Sequence, residues 1–253
     1  MLERTDAVAT VTLNRPANGN RIDDEMALSI RDICAQIAED DKLRLVVLTA
    51  TGNVFSVNAS VDDKSYGSRN ALGNAGNAGN PGEQLAGLAI PVLVAMNGDA
   101  TGPGLELALA GDLRICVATA RFGFTGLTRG VLPQDGGTQR LPRLVGPAWA
   151  GDMLLTGRMV DATEALSIGL VNRVAPEPGG LMAAVEGLAR AITGGSPVGV
   201  RYAKEAVGQG MDLTLDQGLR LEADLNVILQ STSDRAEGIK SFLEKRSPRF
   251  TGS

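Results

Sequence analysis

The apolar and polar positions of the chain follow two spacings, one typical of strands and one typical of helices. Residues 7–14 (AVATVTLN) alternate apolar side chains with Thr, which predicts a half-buried strand. Residues 43–50 (LRLVVLTA) are dense in β-branched side chains and predict a buried strand. Between them, Asp23 or Asp24 can cap a helix over residues 24–39, because one face of that segment is apolar at helical spacing. The apolar face comprises Met26, Ile30, Ile33 and Ile37.

A strand, a tight turn and a helix follow one another in residues 90–112 (IPVLVAMNGDATGPGLELALAGD). Pro103 fits the first helical position, where its missing N–H would have no intrahelical partner. The N–H groups of Gly104 and Leu105 then point out of the helix start and, with the helix dipole, suit a developing negative charge. Glu106 lies in the first turn among apolar neighbours, which predicts partial desolvation, a raised pKa and a role as general acid or base. The alternative is that Glu106 only complements the helix dipole.

The remaining segments predict one long loop followed by a largely helical second half. Residues 65–82, with the repeat GNA-GNA-GNP, predict a mobile loop of the kind that often covers a site. We expect a strand at 113–118, a turn at 133–137 and an amphipathic piece that ends before Pro147. Beyond it the pattern predicts a strand at 170–174 and helices at 149–155, 162–168, 180–192, 197–207, 213–229 and 233–245. This order indicates an α/β core with a helical C-terminal region.

Composition narrows the class of protein. The chain has 253 residues, 43% of them hydrophobic, with a formal net charge of −5 and a pI near 4.9, which argues against nucleic acid as a partner. No apolar run approaches the roughly 18 residues of a membrane span, and the first residues resemble no targeting signal. Cys34 and Cys116 lie in apolar patterns and indicate buried reduced thiols. We therefore expect a cytoplasmic protein without a membrane segment.

Two kinds of site can be excluded from residue types alone. The chain has no histidine, which removes His-activated nucleophiles and His-ligated metal sites, and its scattered acidic residues lack metal-ligand spacing. The glycines before Glu106 do not form a dinucleotide fingerprint, because Leu107 stands where the third glycine belongs. We therefore expect neither a metal site nor a dinucleotide cofactor.

Several segments, in one order, resemble the crotonase (enoyl-CoA hydratase/isomerase) superfamily over nearly the whole chain. They are TVTLNRP (10–16), LVVLTATGNVFSVNASVDD (45–63), IPVLVAMNGDATGPGLELALAGDLRI (90–115), FGF…GVLPQDGGTQRLPRLVG (122–146), LLTGRMVDATEALSIGLVNRVAP (154–176) and GIKSFLEKRSPRF (238–250). The resemblance implies a crotonase-like α/β fold, with a spiral of repeated ββα units at 1–195 and a helical region for trimerisation at 196–253. It also implies a homo-trimer or hexamer, and a coenzyme A thioester as substrate with no other cofactor.

The family's oxyanion hole and coenzyme A site correspond to several positions of this sequence. In similar proteins two backbone N–H groups hold the thioester oxygen as an enolate forms. The first corresponds to Ala59; the second, usually from a glycine, corresponds to Pro103, which has no N–H. Either Gly104 shifts to supply a donor or the hole is half built. Asn58 stands where glycine is common, and a Phe and a Lys near the C-terminus reach the nucleotide end of coenzyme A. The substrate-binding positions that the resemblance implies are Arg15, Asn58, Ala59, Val61, Gly126, Phe242 and Lys245.

Hydratases of this family use two carboxylates, and only one of them has a counterpart here. The first corresponds to Glu106. The second position, which also carries the catalytic Glu of many isomerases, corresponds to Gly126. Asp135, in VLPQDGG, could compensate, since some hydrolytic, ring-cleaving members of the superfamily carry a functional Asp in this loop. The alternative is that Asp135 only forms a turn with Gly136.

Three functional hypotheses follow. The first is an enzyme that adds water to an enoyl-CoA or isomerises it, with Glu106 and Asp135 as candidate catalytic residues. The second is a hydrolase or C–C cleaving enzyme of the superfamily in which Asp135 is the base. The third is an acyl-CoA binding protein with little catalysis, since Pro103 and Gly126 each remove a different part of the machinery.

Overall fold

Two sheets organise the computed structural model, which describes residues 1–57, 80–175 and 179–253, with only the backbone of Arg129. The described strands are β1 (Leu2–Thr5), β2 (Val8–Leu13), β3 (Leu45–Ala50), β4 (Val92–Met96), β5 (Ala100–Thr101), β6 (Leu113–Val117), β7 (Arg121–Gly123), β8 (Met159–Asp161) and β9 (Arg173–Ala175). The larger sheet has the order β1-β2-β3-β4-β6-β9 and is parallel except for the β1–β2 pair. The smaller sheet has the order β5-β7-β8.

Helices cover the larger sheet and continue beyond it at the C-terminal end. The described helices are α1 (Asp24–Ala38), α2 (Pro81–Ala86), α3 (Pro103–Leu109), α4 (Gly137–Thr156), α5 (Ala162–Ser167), α6 (Gly180–Thr193), α7 (Pro197–Gly210), α8 (Leu215–Gln230) and α9 (Ser233–Leu243). Short 3₁₀ turns lie at Pro16–Asn18 and Leu127–Arg129. α1 begins where the sequence predicts, because the Asp23 carboxylate accepts the Met26 N–H at 2.9 Å.

The hydrophobic core lies between the larger sheet and its helices. β2 alternates buried and half-buried residues, as predicted, whereas all five residues of β4 are buried. A parallel strand inside an α/β sheet has both faces covered, so it reads as an unbroken apolar run. Cys34 and Cys116 are buried thiols, and burial raises the pKa of Cys34 to about 11 and that of Cys116 to about 12. The prediction that both thiols are buried is therefore confirmed, and neither forms a disulfide.

Several predicted boundaries are wrong, and the local hydrogen bonds explain one of them. The strand expected at 170–174 is Arg173–Ala175 instead, because the N–H groups of Leu170 and Val171 both bond to the carbonyl of Ala165 and prolong the turn after α5. The loop expected at 65–82 ends too late, since Pro81 begins α2; its residues 65–79 lie outside the described part of the chain. The amphipathic piece expected to end before Pro147 is the first part of α4. This helix continues past Pro147 and is kinked at Gly146 (φ 81°, ψ 159°).

The C-terminal helices α7 to α9 leave many apolar side chains exposed. Exposed apolar side chains on α8 and α9 are Leu215, Leu219, Val227, Ile228, Ile239, Phe242 and Leu243. The final residues fold back onto this region, where the buried Asp234 accepts the N–H groups of Thr251 at 2.9 Å and Gly252 at 3.0 Å and the Ser196 hydroxyl at 2.9 Å. Among the described residues, no helix combines the length and the apolar character that crossing a membrane requires. The division at residues 195 and 196 stays a prediction.

Candidate active site

The start of α3 has the geometry that the sequence predicts. Pro103 is its first residue and Glu106 lies in its first turn, with the Glu106 N–H bonded to the Gly102 carbonyl at 2.9 Å. Gly102 has φ 52° and ψ −124°, a conformation that residues with a side chain rarely adopt. The N–H groups of Gly104 and Leu105 precede the first intrahelical bond, so the helix itself gives them no acceptor. Pro103 offers no donor at all.

Glu106 is a buried carboxyl group held by a turn of the backbone. Glu106 is only 2% exposed. Its Oε1 accepts the N–H groups of Asp135 at 2.6 Å and Gly137 at 3.0 Å. Oε2 receives neither of these two bonds. Burial raises the pKa of Glu106 above its ordinary value of 4.5. The backbone N–H groups of Gly137, Asp135 and Gln134 oppose the rise, and the charge of Asp135 adds to it. The direction agrees with the sequence-based expectation for this side chain.

Asp135 lies in direct contact with the Glu106 site. It is 7% exposed, and its Oδ2 accepts the N–H of Gly82, the second residue of α2, at 2.6 Å. Arg140 Nη1 donates to the Asp135 carbonyl at 2.7 Å and lies 3.9 Å from Oδ1. The structure therefore brings together the two candidate catalytic carboxyl groups. It also adds Gly82 and Arg140, which the sequence analysis missed because neither carries a local signal for these contacts.

A groove of about 1590 Å³ opens beside Asp135, between α2, the start of α4 and α7, and Glu106 is not among its lining residues. Asp135 and Arg140 form part of its wall, and Leu88, Ala110 and Tyr202 are among its other lining residues. The groove gives Asp135 contact with a space large enough for a small organic group. Among the described residues, no three His, Cys, Asp or Glu side chains are grouped so that they could hold a metal ion.

Gly126 supplies no carboxylate to this site. It is buried, and it precedes the 3₁₀ turn Leu127–Arg129 with φ −71° and ψ −35°. This is a right-handed conformation that any residue adopts without strain. The backbone conformation at this position therefore does not require a glycine.

Among the residues expected to bind coenzyme A, Arg15, Phe242 and Lys245 make no hydrogen bond or ion pair with Glu106 or Asp135 in the described part of the chain. The Arg15 guanidinium pairs with Asp23 and lies 3.3 Å from Glu25. Phe242, 82% exposed, is near the end of α9, and Lys245 follows that helix, which ends at Leu243 and not at residue 245 as expected. Within the described ranges, neither residue has a hydrogen bond or ion pair to the Glu106–Asp135 pair. Asn58, Ala59 and Val61 lie outside the described residues.

Known proteins match the chain along its whole length. The family model for enoyl-CoA hydratase/isomerase matches residues 3–253. The crotonyl-CoA hydratase of Syntrophomonas wolfei is 35% identical over 254 residues, covering 99% of this chain and 96% of that protein. The (E)-benzylidenesuccinyl-CoA hydratase of Thauera aromatica is 38% identical over 254 residues, covering 99% and 98%.

Solved structures agree with these sequence matches. The crystal structure of an enoyl-CoA hydratase from Bacillus anthracis is similar, with a TM-score of 0.92 and 34% identity over 100% of this chain and 99% of that one. An enoyl-CoA hydratase structure from Geobacillus kaustophilus gives a TM-score of 0.91 with 34% identity, covering 100% and 98%. The expected crotonase-like α/β fold with a helical C-terminal region is therefore confirmed. The chain belongs to the enoyl-CoA hydratase/isomerase family.

Proposed function

We propose that this protein adds water to an enoyl-CoA, or moves its double bond, through an enolate of the thioester. The buried Glu106 carboxyl carries the proposal, because it is held by two N–H groups on one oxygen while the other oxygen receives neither of them. The names of relatives, such as crotonyl-CoA hydratase, support an enoyl-CoA as the substrate class. The chemistry uses the coenzyme A thioester as substrate and needs no further cofactor.

Glu106 transfers the proton in this reaction. A carboxyl group whose pKa is raised above its ordinary value is a stronger general base than an ordinary Glu and keeps its proton to a higher pH. The turn that contains Asp135 and Gly137 holds Oε1, so we assign proton transfer with the reacting carbon or the attacking water to Oε2. A general acid or base of this kind contributes roughly 10²- to 10⁴-fold to a rate.

The thioester oxygen is held at the start of α3 together with the N–H of Ala59. Pro103 cannot provide the usual second donor, and the loss of one such donor costs on the order of 3 kcal/mol in the transition state. The N–H of Gly104, next along the helix start, is the nearest donor in sequence that can take its place. We therefore expect slower turnover than a hydratase with a complete oxyanion hole.

Asp135 supports a second candidate, hydrolysis or C–C bond cleavage. Its carboxylate is 7% exposed, touches the groove beside α2 and α7, and belongs to the turn that binds Glu106. A base at this position would activate water for attack on a carbonyl carbon of the substrate. Gly126 has no carboxylate, which favours a role for Asp135. Among the described residues, Asp135 is a second buried carboxyl group beside Glu106.

A third candidate is an acyl-CoA binding protein with little catalysis. Pro103 removes an oxyanion donor and Gly126 removes a carboxylate, so both changes weaken catalysis without closing the site. In this case the protein would retain affinity for acyl-CoA and lose turnover.

The first experiment follows the enoyl absorbance of crotonyl-CoA after addition of purified protein, beside calorimetric binding of a saturated acyl-CoA. Turnover that falls at least 100-fold in Glu106→Gln supports hydration. Release of free coenzyme A that depends on Asp135 but not on Glu106 supports hydrolysis instead. Binding without either reaction would refute both enzymatic proposals and leave the binding role.

We further propose that the helical region at 196–253 assembles the protein into a homo-trimer or a dimer of trimers. The exposed apolar side chains of α8 and α9 support this, since such patches commonly mark interfaces between chains. In the assembly, Phe242 and Lys245 would reach the nucleotide end of coenzyme A. Light scattering on the purified protein tests the assembly, and a monomer at micromolar concentration would refute it.

We also propose a cytoplasmic location and no nucleic-acid partner. Two buried free thiols are typical of a reducing compartment, and the net charge of −5 disfavours a polyanion. Fractionation of the source cells, with the protein detected by antibody, tests the location.

A further inference from the structure

Arg140 contacts the backbone of the turn that binds Glu106. Residues Asp135 and Gly137 provide both N–H donors to Glu106 Oε1. Asp135 therefore has its N–H on Glu106 and its carbonyl oxygen on Arg140 Nη1, 2.7 Å away. Because both backbone polar groups of Asp135 are engaged, its backbone angles are constrained by the arginine on one side and by the glutamate on the other.

Arg140 is well placed to hold the turn, because it belongs to a helix that the turn itself begins. It lies in the first turn of α4, where its own N–H and that of Gln139 bond to the Gly136 carbonyl at 2.7 and 2.9 Å. Its guanidinium lies against Gly136, whose φ of +93° suits glycine and where a Cβ would overlap Nη1 and come within 3.0 Å of Cζ. The Arg140 side chain therefore passes over Gly136, which has no side chain, to reach the Asp135 carbonyl.

The charge of Arg140 has a smaller part in the contact than the hydrogen bond. Its Nη1 lies 3.9 Å from Asp135 Oδ1, a long ion pair, while Oδ2 of the same carboxylate is bonded to Gly82. The side chain of Arg140 is 27% exposed, so water screens part of that attraction. The carbonyl contact is the short one, and it acts on the backbone that orients Glu106.

We propose that Arg140 is a positioning residue, which holds the Asp135 carbonyl and thereby fixes the two N–H groups that orient the Glu106 carboxyl. This proposal rests on the proposed function of Glu106 as the proton-transfer group. Arg140 also lines the groove, but in this role it acts through the Asp135 backbone and not on the reacting atoms. Its loss is expected to lower kcat and to leave the KM for acyl-CoA nearly unchanged.

The test compares Arg140→Ala, Arg140→Lys and the control Arg190→Ala. Arg190 lies on α6 and is not among the residues that line the groove; its side chain is 75% exposed and lies 3.8 Å from Glu186. We expect kcat for crotonyl-CoA to fall 10- to 100-fold in Arg140→Ala, with KM within threefold of wild type. Lys keeps a donor for the carbonyl, so Arg140→Lys should recover most of kcat, and Arg190→Ala should match wild type.

A second measurement separates this inference from the proposed function. Hydrogen–deuterium exchange of the peptide that contains residues 134–137 reports the turn directly, whether or not the protein turns over crotonyl-CoA. Exchange at least tenfold faster in Arg140→Ala than in Arg190→Ala supports the positioning role. Unchanged exchange overturns it, and so does faster exchange with an unchanged kcat in an active wild type. A wild type without turnover refutes the proposed function, and the exchange result alone then decides whether Arg140 holds the turn.

Discussion

Replacing Glu106 by Gln and by Ala separates what this side chain does for the fold from what it does for the reaction. The Ala variant removes the acceptor of two buried N–H groups, on Asp135 and Gly137. Each buried donor left without a partner costs about 1–3 kcal/mol, so we expect Glu106→Ala to lose roughly 2–6 kcal/mol of unfolding free energy. A loss of activity in the Ala variant would therefore be ambiguous.

The Gln variant keeps the acceptor and removes the acid. Its amide oxygen can take the place of Oε1 and accept both N–H groups, while the NH₂ group takes the place of Oε2. We expect its unfolding free energy at pH 7 to equal or exceed that of wild type, because burial disfavours the charged carboxylate. We expect its turnover of crotonyl-CoA to fall by roughly 10²- to 10⁴-fold, since an amide cannot transfer the proton.

The pH dependence of this difference follows from the raised pKa of Glu106. In the unfolded chain the group titrates near 4.5, and in the folded protein above it. The folded state therefore binds the proton more tightly, and the stabilisation is complete below pH 4.5 and is lost as the pH rises through the folded-state pKa. Gln does not titrate, so the stability of the Gln variant relative to wild type should increase with pH over this window.

Urea unfolding of wild type, Glu106→Gln and Glu106→Ala between pH 4 and 8 measures these differences, beside the crotonyl-CoA assay. Turnover by the Gln variant within threefold of wild type would show that Glu106 does not transfer the proton. A Gln variant as unstable as the Ala variant would show that the two N–H contacts do not account for the contribution of Glu106 to the unfolding free energy.

Three further predictions concern other residues. Gly126→Glu should raise hydration of crotonyl-CoA by on the order of 10²-fold over Gly126→Gln, measured by enoyl absorbance, because it restores a second acid–base group; equal rates in the two variants would contradict this. Pro103→Gly should raise kcat by up to about 10²-fold by restoring an oxyanion donor, at a cost of about 1 kcal/mol in urea unfolding; an unchanged kcat would mean that another group already acts as donor. Burial alone would raise the pKa of Asp234, but bonds from Gly252, Ser196 and Thr251 lower it below 3.8, so Asp234→Asn should lose about 1–2 kcal/mol at pH 7. That difference should shrink as the pH falls below 3.8, and a constant difference in urea unfolding would refute the assignment.

Local signals in the sequence predicted the parts of the fold that depend on local physics. Pro103 begins α3 because a proline at the first helical position loses no hydrogen bond, and Asp23 caps α1 through its side chain. The unbroken apolar run of β4 is typical of a covered parallel strand. The predicted bounds of β9 were wrong because apolar side chains at Leu170 and Val171 suggested a strand. The backbone N–H groups of both residues instead bond within the turn after α5.

Individual site residues could be predicted from the sequence, but the contacts between them could not. Glu106 could be identified from its apolar neighbours, and the structure adds that its acceptor bonds come from a turn about 30 residues later, which periodicity cannot reveal. The contact of Asp135 with Gly82 joins residues 53 positions apart and depends on how α2 packs beside the turn. Sequence-based reasoning gave Asp135 either a turn role or a catalytic role, and its contacts place it in the turn and beside the carboxyl at once.

The two departures from the family pattern lie at positions where the backbone does not demand them. Gly126 has right-handed dihedral angles that a Glu would share, and Pro103 occupies a helical position where glycine is also allowed. By contrast, Gly102 and Gly136 have positive φ, and a side chain at Gly136 would overlap Arg140. The geometry that orients Glu106 thus depends on residues with constrained backbone angles, whereas Pro103 and Gly126 have backbone angles that other residues also adopt. Exchanging Pro103 and Gly126 should therefore change the rate of hydration while the local backbone is kept, and the two variants measure how far each position limits the proposed reaction.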